Sequence, residues 1–248
     1  ESDKYQQTAA NSGNPDPTTY AIGSNLSITP FIHGLVADYA FDNPASGVGA
    51  ITTDSSGWGN NGTLEDTTST GTGPAQTSTP NCVSGSCYSF DGVDDYMSLS
   101  NIGVNTSTGA QNTVVFWMDW NGGGNQMVFG FYNYDLFLAS GDFGFNTACS
   151  DIYGISAAGL SGSWQDVAGI FTNNSGITSN QLYINGVKQS VLQLSGTPCS
   201  IGASTAAHIS GWPNTSGYLY GGYIDHLLIY NRALTSAQIQ AIYNKEKS

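Results

Sequence analysis

Apolar and polar residues alternate with a period of two through most of this chain, the pattern of strands with one buried face. Leu35, Ala37, Tyr39 and Phe41 form one such set. Tyr88–Phe90 and Tyr96–Leu99 flank an Asp91-Gly92 turn. Thr113–Trp120 (TVVFWMDW) is apolar on both faces, as a central strand is. Gln126–Ala139 is rich in aromatic residues, and Trp164–Phe171 reads as a further core strand. Leu182–Ile184 and Val187 onward, joined by Asn185-Gly186, predict a hairpin with a type I′ turn. In the last strand Ile224, His226, Leu228 and Tyr230 fall on one face, and Tyr223, Asp225, Leu227 and Ile229 on the other. The spacing then changes. Thr235 and Gln238 make a capping box, and Ile239, Ile242 and Tyr243 follow at helical intervals. The prediction is an all-β chain closed by one short C-terminal helix.

Residues 1–17 are polar and contain Pro, Gly and Asn, the composition of a flexible arm. Thr18, Tyr20, Ile22, Ser24, Leu26 and Ile28 then alternate with Thr19, Ala21, Gly23, Asn25 and Ser27, which predicts an amphipathic strand over 18–28. Residues 1–33 thus read as an N-terminal arm with one extra strand, and 34–248 as the domain. The strand packs either on its own domain or, by strand addition, on the sheet edge of a neighbouring copy. In the second case Tyr20, Ile22, Leu26 and Ile28 fill the pockets.

Six segments recur in a fixed order: GLVADYAFDN (Gly34–Asn43), DSSGWGNNGTL (Asp54–Leu64), SFDGVDDYMSL (Ser89–Leu99), SWQDVAGIF (Ser163–Phe171), QLYINGVKQ (Gln181–Gln189) and GYIDHLLIYNRALTSAQIQAIYN (Gly222–Asn244). Together they resemble the laminin-G-like (concanavalin A-like) domains, over roughly Gly34 to Asn244. The resemblance implies a two-sheet antiparallel jelly-roll sandwich. It also implies one structural Ca²⁺ between the loops near the first and last strands, held by oxygen ligands. The matching positions are Asp42, Asp54, Asn60 and Asp225. The alternative is that Asp225 caps a loop through backbone N–H groups and Asp54 starts an Asx-turn.

Composition narrows the partners. Charged residues make up 9% of the 248, with 18 acids against five bases and a net charge of −13, where ordinary domains carry about 25%. Such a surface repels nucleic acid and anionic membranes. No apolar run approaches the ~20 residues of a membrane span. No leader opens the chain, so a mature form is expected. Four cysteines allow three connectivities; Cys82 with Cys87, across a VSGS loop, and Cys149 with Cys199 is the favoured one. The sequons at Asn25, Asn61, Asn105, Asn173 and Asn214, together with disulfides, place the protein outside the cell, secreted or on the surface.

For catalysis the residues are wrong. Glycoside hydrolysis needs a pair of carboxylates facing one bond. Glu1 and Glu246 lie in the tails, Glu65 in a loop, and Asp94 and Asp95 point to opposite faces. No E-x-D-x-x-E or G-x-S-x-G occurs. Trp58, Trp212 and Tyr218/Tyr220 sit among Gly and Ser and are candidates for stacking on a sugar, whereas Trp117, Trp120 and Trp164 read as core. His33 and His226 read as structural. The expectation is a non-catalytic surface protein acting in assembly or adhesion, a filament subunit joined to copies of itself by N-terminal strand donation. The alternative is a carbohydrate-binding, lectin-like module.

Overall fold

A computed structural model describes residues 33–68, 71–147, 149–174, 177–212 and 217–247. The strand assigned to 18–28, with Tyr20, Ile22, Leu26 and Ile28, lies outside the described residues. So do the sequons at Asn25 and Asn214.

Two antiparallel sheets stack face to face. The first contains β1 (Leu35–Tyr39), β4 (Ala75–Ser78), β5 (Ser86–Asp91), β7 (Gln111–Trp120), β12 (Gln165–Thr172), β13 (Gln181–Ile184), β14 (Val187–Lys188) and β17 (Gly221–Tyr230). Its order is β14-β13-β12-β7-β17-β5-β4, with β1 also paired to β17. The second contains β2 (Ile51–Thr52), β3 (Gly62–Asp66), β6 (Asp95–Leu99), β8 (Gln126–Phe131), β9 (Tyr134–Ala139), β10 (Asp142–Asn146), β11 (Ile152–Ser156), β15 (Leu192–Ser195) and β16 (Ala207–Ile209). Its order is β15-β11-β10-β9-β8-β16-β6-β3-β2.

The main core fills the space between them. Phe171 of β12 is its hub, with edge contacts to Phe131, Tyr134 and Phe145 at centroid distances of 5.0–5.2 Å. Edge-to-face geometry sets positive ring edges against negative faces and adds to the burial energy. A second cluster lies on the other side of the first sheet. There Val115, Ala168, Ile170, Tyr183, Leu228 and Tyr230 pack against Ile239 and Ile242 of α1 (Ser236–Glu246). Thr235 caps α1, and both reciprocal capping-box bonds to Gln238 are present. The helix therefore covers the outer face of the first sheet. No helix of the described residues is long and apolar enough to cross a membrane.

Strict alternation fails in β17. The register on β7 shifts between Asp225 and Leu228, and His226 has φ +41°. One extra residue inverts the phase of every position beyond it. Ile224 faces the main core with Leu227 and Ile229, while Leu228 and Tyr230 face α1. The expected grouping of Ile224 with Leu228 and Tyr230 is thus corrected. The bulge leaves Asp225 and His226 beside the helix end.

Both expected disulfides are formed, Cys82–Cys87 and Cys149–Cys199. The Asn185-Gly186 hairpin has positive φ at both residues, as a type I′ turn demands.

Candidate functional site

Among the described residues no helix lies over the outer face of the second sheet, although much of that face is buried: Met127 and Asp135 are fully buried and Phe137 is 7% exposed. Inward residues of its strands, such as Met97, Leu136 and Phe143, build the core, so by alternation their neighbours face outward. One transverse row runs Thr63, Ser98, His208, Gly130, Asp135, Asn146 across six strands. It is polar apart from Gly130. The adjacent row runs Leu192, Gly154, Gly144, Phe137, Met127. Gly144 and Gly154 face each other where the backbones come too close for any side chain, which leaves a smooth floor.

Aromatic rings rise beside that floor. Trp212 lies 5.9 Å from Phe137 and 4.7 Å from Tyr218, measured between ring centroids, and Phe137 lies 5.2 Å from Tyr218. Tyr218 is 41% exposed. Further across, Tyr96 stacks on His208 at 5.3 Å. Burial lowers the His208 pKa to about 4, so its ring is neutral near pH 7. Trp212 also seals Asp135, donating from Nε1 to Oδ2 at 2.7 Å, while Asn146 Nδ2 donates to both oxygens at 3.2 Å. Asp135 is fully buried. Burial raises its pKa to about 8; the Trp212 and Asn146 bonds oppose the rise, and the nearby Asp151 charge adds to it.

A second polar constellation lies where α1 ends. A cavity of about 200 Å³ there is lined by Ser84, Trp117, Asp225, His226, Lys245 and Glu246, with Val83 beside them. His226 Nε2 meets Asp38 at 3.4 Å and Nδ1 meets Glu246 at 3.0 Å. Glu246 also accepts from Trp117 Nε1 at 2.9 Å. Burial depresses the His226 pKa, but the bonds to Asp38 and Glu246 outweigh it and leave it near 10. Asp166 is fully buried, and neither of its oxygens completes a hydrogen bond. Burial and the Glu246 charge raise it to about 7, against a smaller pull from the Gly186 amide and His226. Burial raises Asp225 to about 6, with the Ser84 amide, His226 and the Val83 amide opposing.

The residues assigned to calcium are placed otherwise than a single site requires. Asp54 accepts the Asp38, Ser56 and Asn60 amides and the Ser56 hydroxyl. Asn60 Nδ2 donates to Val36 O at 2.7 Å. Asp42 takes the Ser86 amide, and Asp225 takes those of Val83 and Ser84. Among the described residues the set of three acidic groups whose ligand atoms lie within 4.8 Å is Asp91, Asp94 and Asp95. Asp42, Asp54 and Asp225 thus do not converge. The donor chemistry suits calcium, but these oxygens are aimed at N–H groups, and the four residues do not fit one ion.

The aromatic candidates divide. Trp58 is 38% exposed and donates to Leu35 O on the first sheet's first strand, away from Trp212. Tyr220 is fully buried in the core, which corrects its reading as a platform. Trp164 stands outside the core clusters, half-buried, bonded to Asn81 O and tilted against Tyr223; it leaves the core because it precedes β12. Glu246 is no tail residue but the last of α1. Among the sequons, Asn61 and Asn105 are exposed. Asn173 is fully buried, with Nδ2 donating to the Asn105 and Ser107 carbonyls. Glycopeptide mass spectrometry on protein from a glycosylating host is therefore expected to find glycan at Asn61 and Asn105 and bare Asn173. Occupied Asn173 contradicts its packing.

Sequence reasoning missed Asp135, Asp166 and the His226 pair of contacts. Each depends on strands far apart in the chain. The one local signal was an acidic residue inside an apolar run.

Two antiparallel sheets stacked face to face around one core, closed by a short C-terminal helix, are the architecture of a jelly-roll sandwich. Residues 91–240 match the family described as the concanavalin A-like lectin/glucanases superfamily, and the chain belongs to it. Among solved structures it is similar to the binding domain of Paraclostridial Mosquitocidal Protein 1 (TM-score 0.59, 14% identity, 86% of this chain and 52% of that one). It is similar to domain 4 of an extracellular arabinanase from Geobacillus stearothermophilus, solved with arabinotriose (TM-score 0.55, 20% identity, 84% and 98%). It is also similar to the receptor binding domain of botulinum neurotoxin C/D mosaic serotype (TM-score 0.56, 12% identity, 86% and 51%). The chain spans about half the length of the two toxin domains. No curated protein sequence matches it.

Proposed function

We propose that this domain is a non-catalytic, extracellular carbohydrate-recognition module whose ligand lies on the outer face of the second sheet. The observation behind this reading is the exposed ring of Tyr218, set against Trp212 and Phe137 beside a polar row on the outer face of the second sheet. Sugar rings present apolar C–H faces and polar rims, and such a surface offers partners for both. The arabinanase domain, of the same fold, was solved with a neutral oligosaccharide. The −13 charge of this chain disfavours anionic glycans, so the ligand class is a neutral polysaccharide.

Glycosidic cleavage uses two carboxyl groups ~5–10 Å apart. Of the outward carboxylates on this face, Glu65 on β3 and Asp135 on β9 stand four strand positions apart, ~19 Å; Asp151, whose charge reaches Asp135, is buried with it, and Asp91, Asp94 and Asp95 lie together at the β5–β6 turn.

The test is a screen of neutral glycans by affinity electrophoresis, followed by Trp212→Ala and Tyr218→Ala. Each is expected to weaken retention about tenfold or more, the effect of losing one stacking ring. Tyr218 is exposed, so its variant folds even where Trp212→Ala disturbs Asp135. Unchanged retention by both variants would remove this face as the site. A second reading, self-assembly of the chain through its N-terminal segment, draws support from one feature, the uncharged apolar edge at β15.

A further inference from the structure

We infer that Asp135 is the positioning residue of the outer-face site: its carboxylate fixes the Trp212 indole in the orientation in which Trp212 and Tyr218 present one sugar-binding surface. The inference rests on the carbohydrate-recognition reading.

Asp135 lies on β9 two residues before Phe137, so both side chains leave the same face of the second sheet. Its partner across the strand pair is Gly130 of β8, and a Cβ there would lie 2.6 Å from the Asp135 Cβ. A side chain at 130 would displace the aspartate; glycine leaves its place clear. On the other side stands Asn146 of β10, whose Nδ2 donates to both carboxyl oxygens at 3.2 Å. The carboxyl group is thus seated between two neighbouring strands, and it offers Oδ2 to the Trp212 Nε1–H at 2.7 Å.

A purely structural role does not call for an acid in this place. Both partners are neutral donors, and among the described residues no cation pairs with Asp135. The charge that acts on it is the like charge of Asp151, itself fully buried, with Oδ1 taken by the Thr147 amide and hydroxyl. Burying an acid without a cation costs stability, and an apolar residue would fill the same space at less cost. An apolar residue cannot accept the indole N–H. Acids kept in such surroundings cluster at functional sites.

Ring contacts alone do not orient the indole. Trp212 meets Phe137 at 31° and Tyr218 at 57°, with centroids 5.9 Å and 4.7 Å apart. Tilted contacts of this kind change little as the indole turns in its own plane. A hydrogen bond does not tolerate that turn, because it weakens steeply once the donor points away from the acceptor. A bond to a carboxylate is also the stronger kind. It therefore decides which edge of Trp212 is turned toward the sheet and which stands beside the exposed ring of Tyr218.

The test uses the full chain, run by affinity electrophoresis through gels holding arabinan, xylan, galactomannan or β-glucan. On a glycan that retards the parent, Asp135→Leu should weaken retention about tenfold, and Asp135→Asn, which keeps an oxygen for Nε1–H, should restore it to within about threefold. Exchange of the Trp212 indole proton with solvent should be slow in the parent and in Asp135→Asn, and fast in Asp135→Leu. Trp212→Phe leaves Asp135 no indole to aim, so adding Asp135→Leu in that background should weaken retention no further. A folded Asp135→Leu that binds like the parent, or additive losses in the double variant, overturns the positioning role; if Tyr218→Ala still weakens retention, the recognition reading stands. Should Asp135→Leu not fold, unchanged retention by Trp212→Phe overturns the positioning role by itself. A parent that none of the gels retards overturns the reading and the inference together.

Discussion

Raising the pH from about 6.5 to about 9 is expected to lower the melting temperature by roughly 10 °C, and Asp135→Asn to remove about a third of that fall. Three groups act in this window. The folded-state pKa values of Asp135 and Asp166 stand near 8 and 7, raised first by burial. A carboxyl group with a raised pKa binds its proton more tightly when folded. Its cost therefore grows as the pH rises from the unfolded value to the folded one. His226 near 10 is also raised, so its contribution is complete below its ordinary value of 6.5 and is lost as the pH climbs through 10. His208 is lowered to about 4 by burial; its contribution is complete above 6.5 and is lost only below. It therefore does not oppose the other three in this range. The three together amount to on the order of 5 kcal/mol at ~1.4 kcal/mol per pKa unit. At ~2–4 °C per kcal/mol for a domain of this size, the shift is large enough for a thermal scan. Asp135→Asn keeps an oxygen for Trp212 and removes the titration. A stability curve that is flat or rises from pH 6.5 to pH 9 would contradict the burial of these groups.

The second large effect lies at His226. Its imidazole meets Asp38 on one nitrogen and Glu246 on the other, and Asp166 and Asp225 act electrostatically on the same ring or its partners. Replacing it by Gln leaves four acidic groups without their cationic neighbour at the end of α1, where Lys245 also lines the cavity. His226 and Asp38 are each 26% exposed, so removing the ring costs about 1–3 kcal/mol, the loss of hydrogen bonds to charged groups, rather than the larger cost of breaking a fully buried pair. The expected result is a melting temperature lower by roughly 5 °C and faster hydrogen exchange at the Trp117 indole, which donates to Glu246. Glu246→Gln should be milder, since it keeps an oxygen for Trp117 while removing one negative charge. If His226→Gln melts within a degree or two of the parent, the ring is not holding this corner together.

The bulge at His226 also explains part of the gap between reading the chain and seeing the molecule. A period-two reading of β17 assigns Ile224 and Leu228 to one face. A single residue at φ +41° puts them on opposite faces. Nothing in the local pattern of Gly222–Tyr230 announces the slip, because both faces carry apolar residues. The same holds for Glu246. It reads as a tail residue until α1 packs across β7 and β17 and buries it against Trp117.

Local rules did determine much of this protein. The alternation marked the strands, Asn185-Gly186 marked a type I′ turn, and Thr235 with Gln238 marked the helix start, because each depends on residues within a few positions of one another. The cysteine pairing also agreed. Tertiary structure alone decided which face of the sandwich the helix covers, and that Trp212, Tyr218 and Phe137 meet on the opposite one over Asp135. Asp54, as an Asx-turn, bonds mainly to its own loop, whereas tertiary structure decided as well that Asp225 meets the amides of Val83 and Ser84. Those outcomes depend on sheet order and register, which join residues more than 70 positions apart. Side-chain chemistry sets what a residue can do, but burial and neighbours set its charge and its partners.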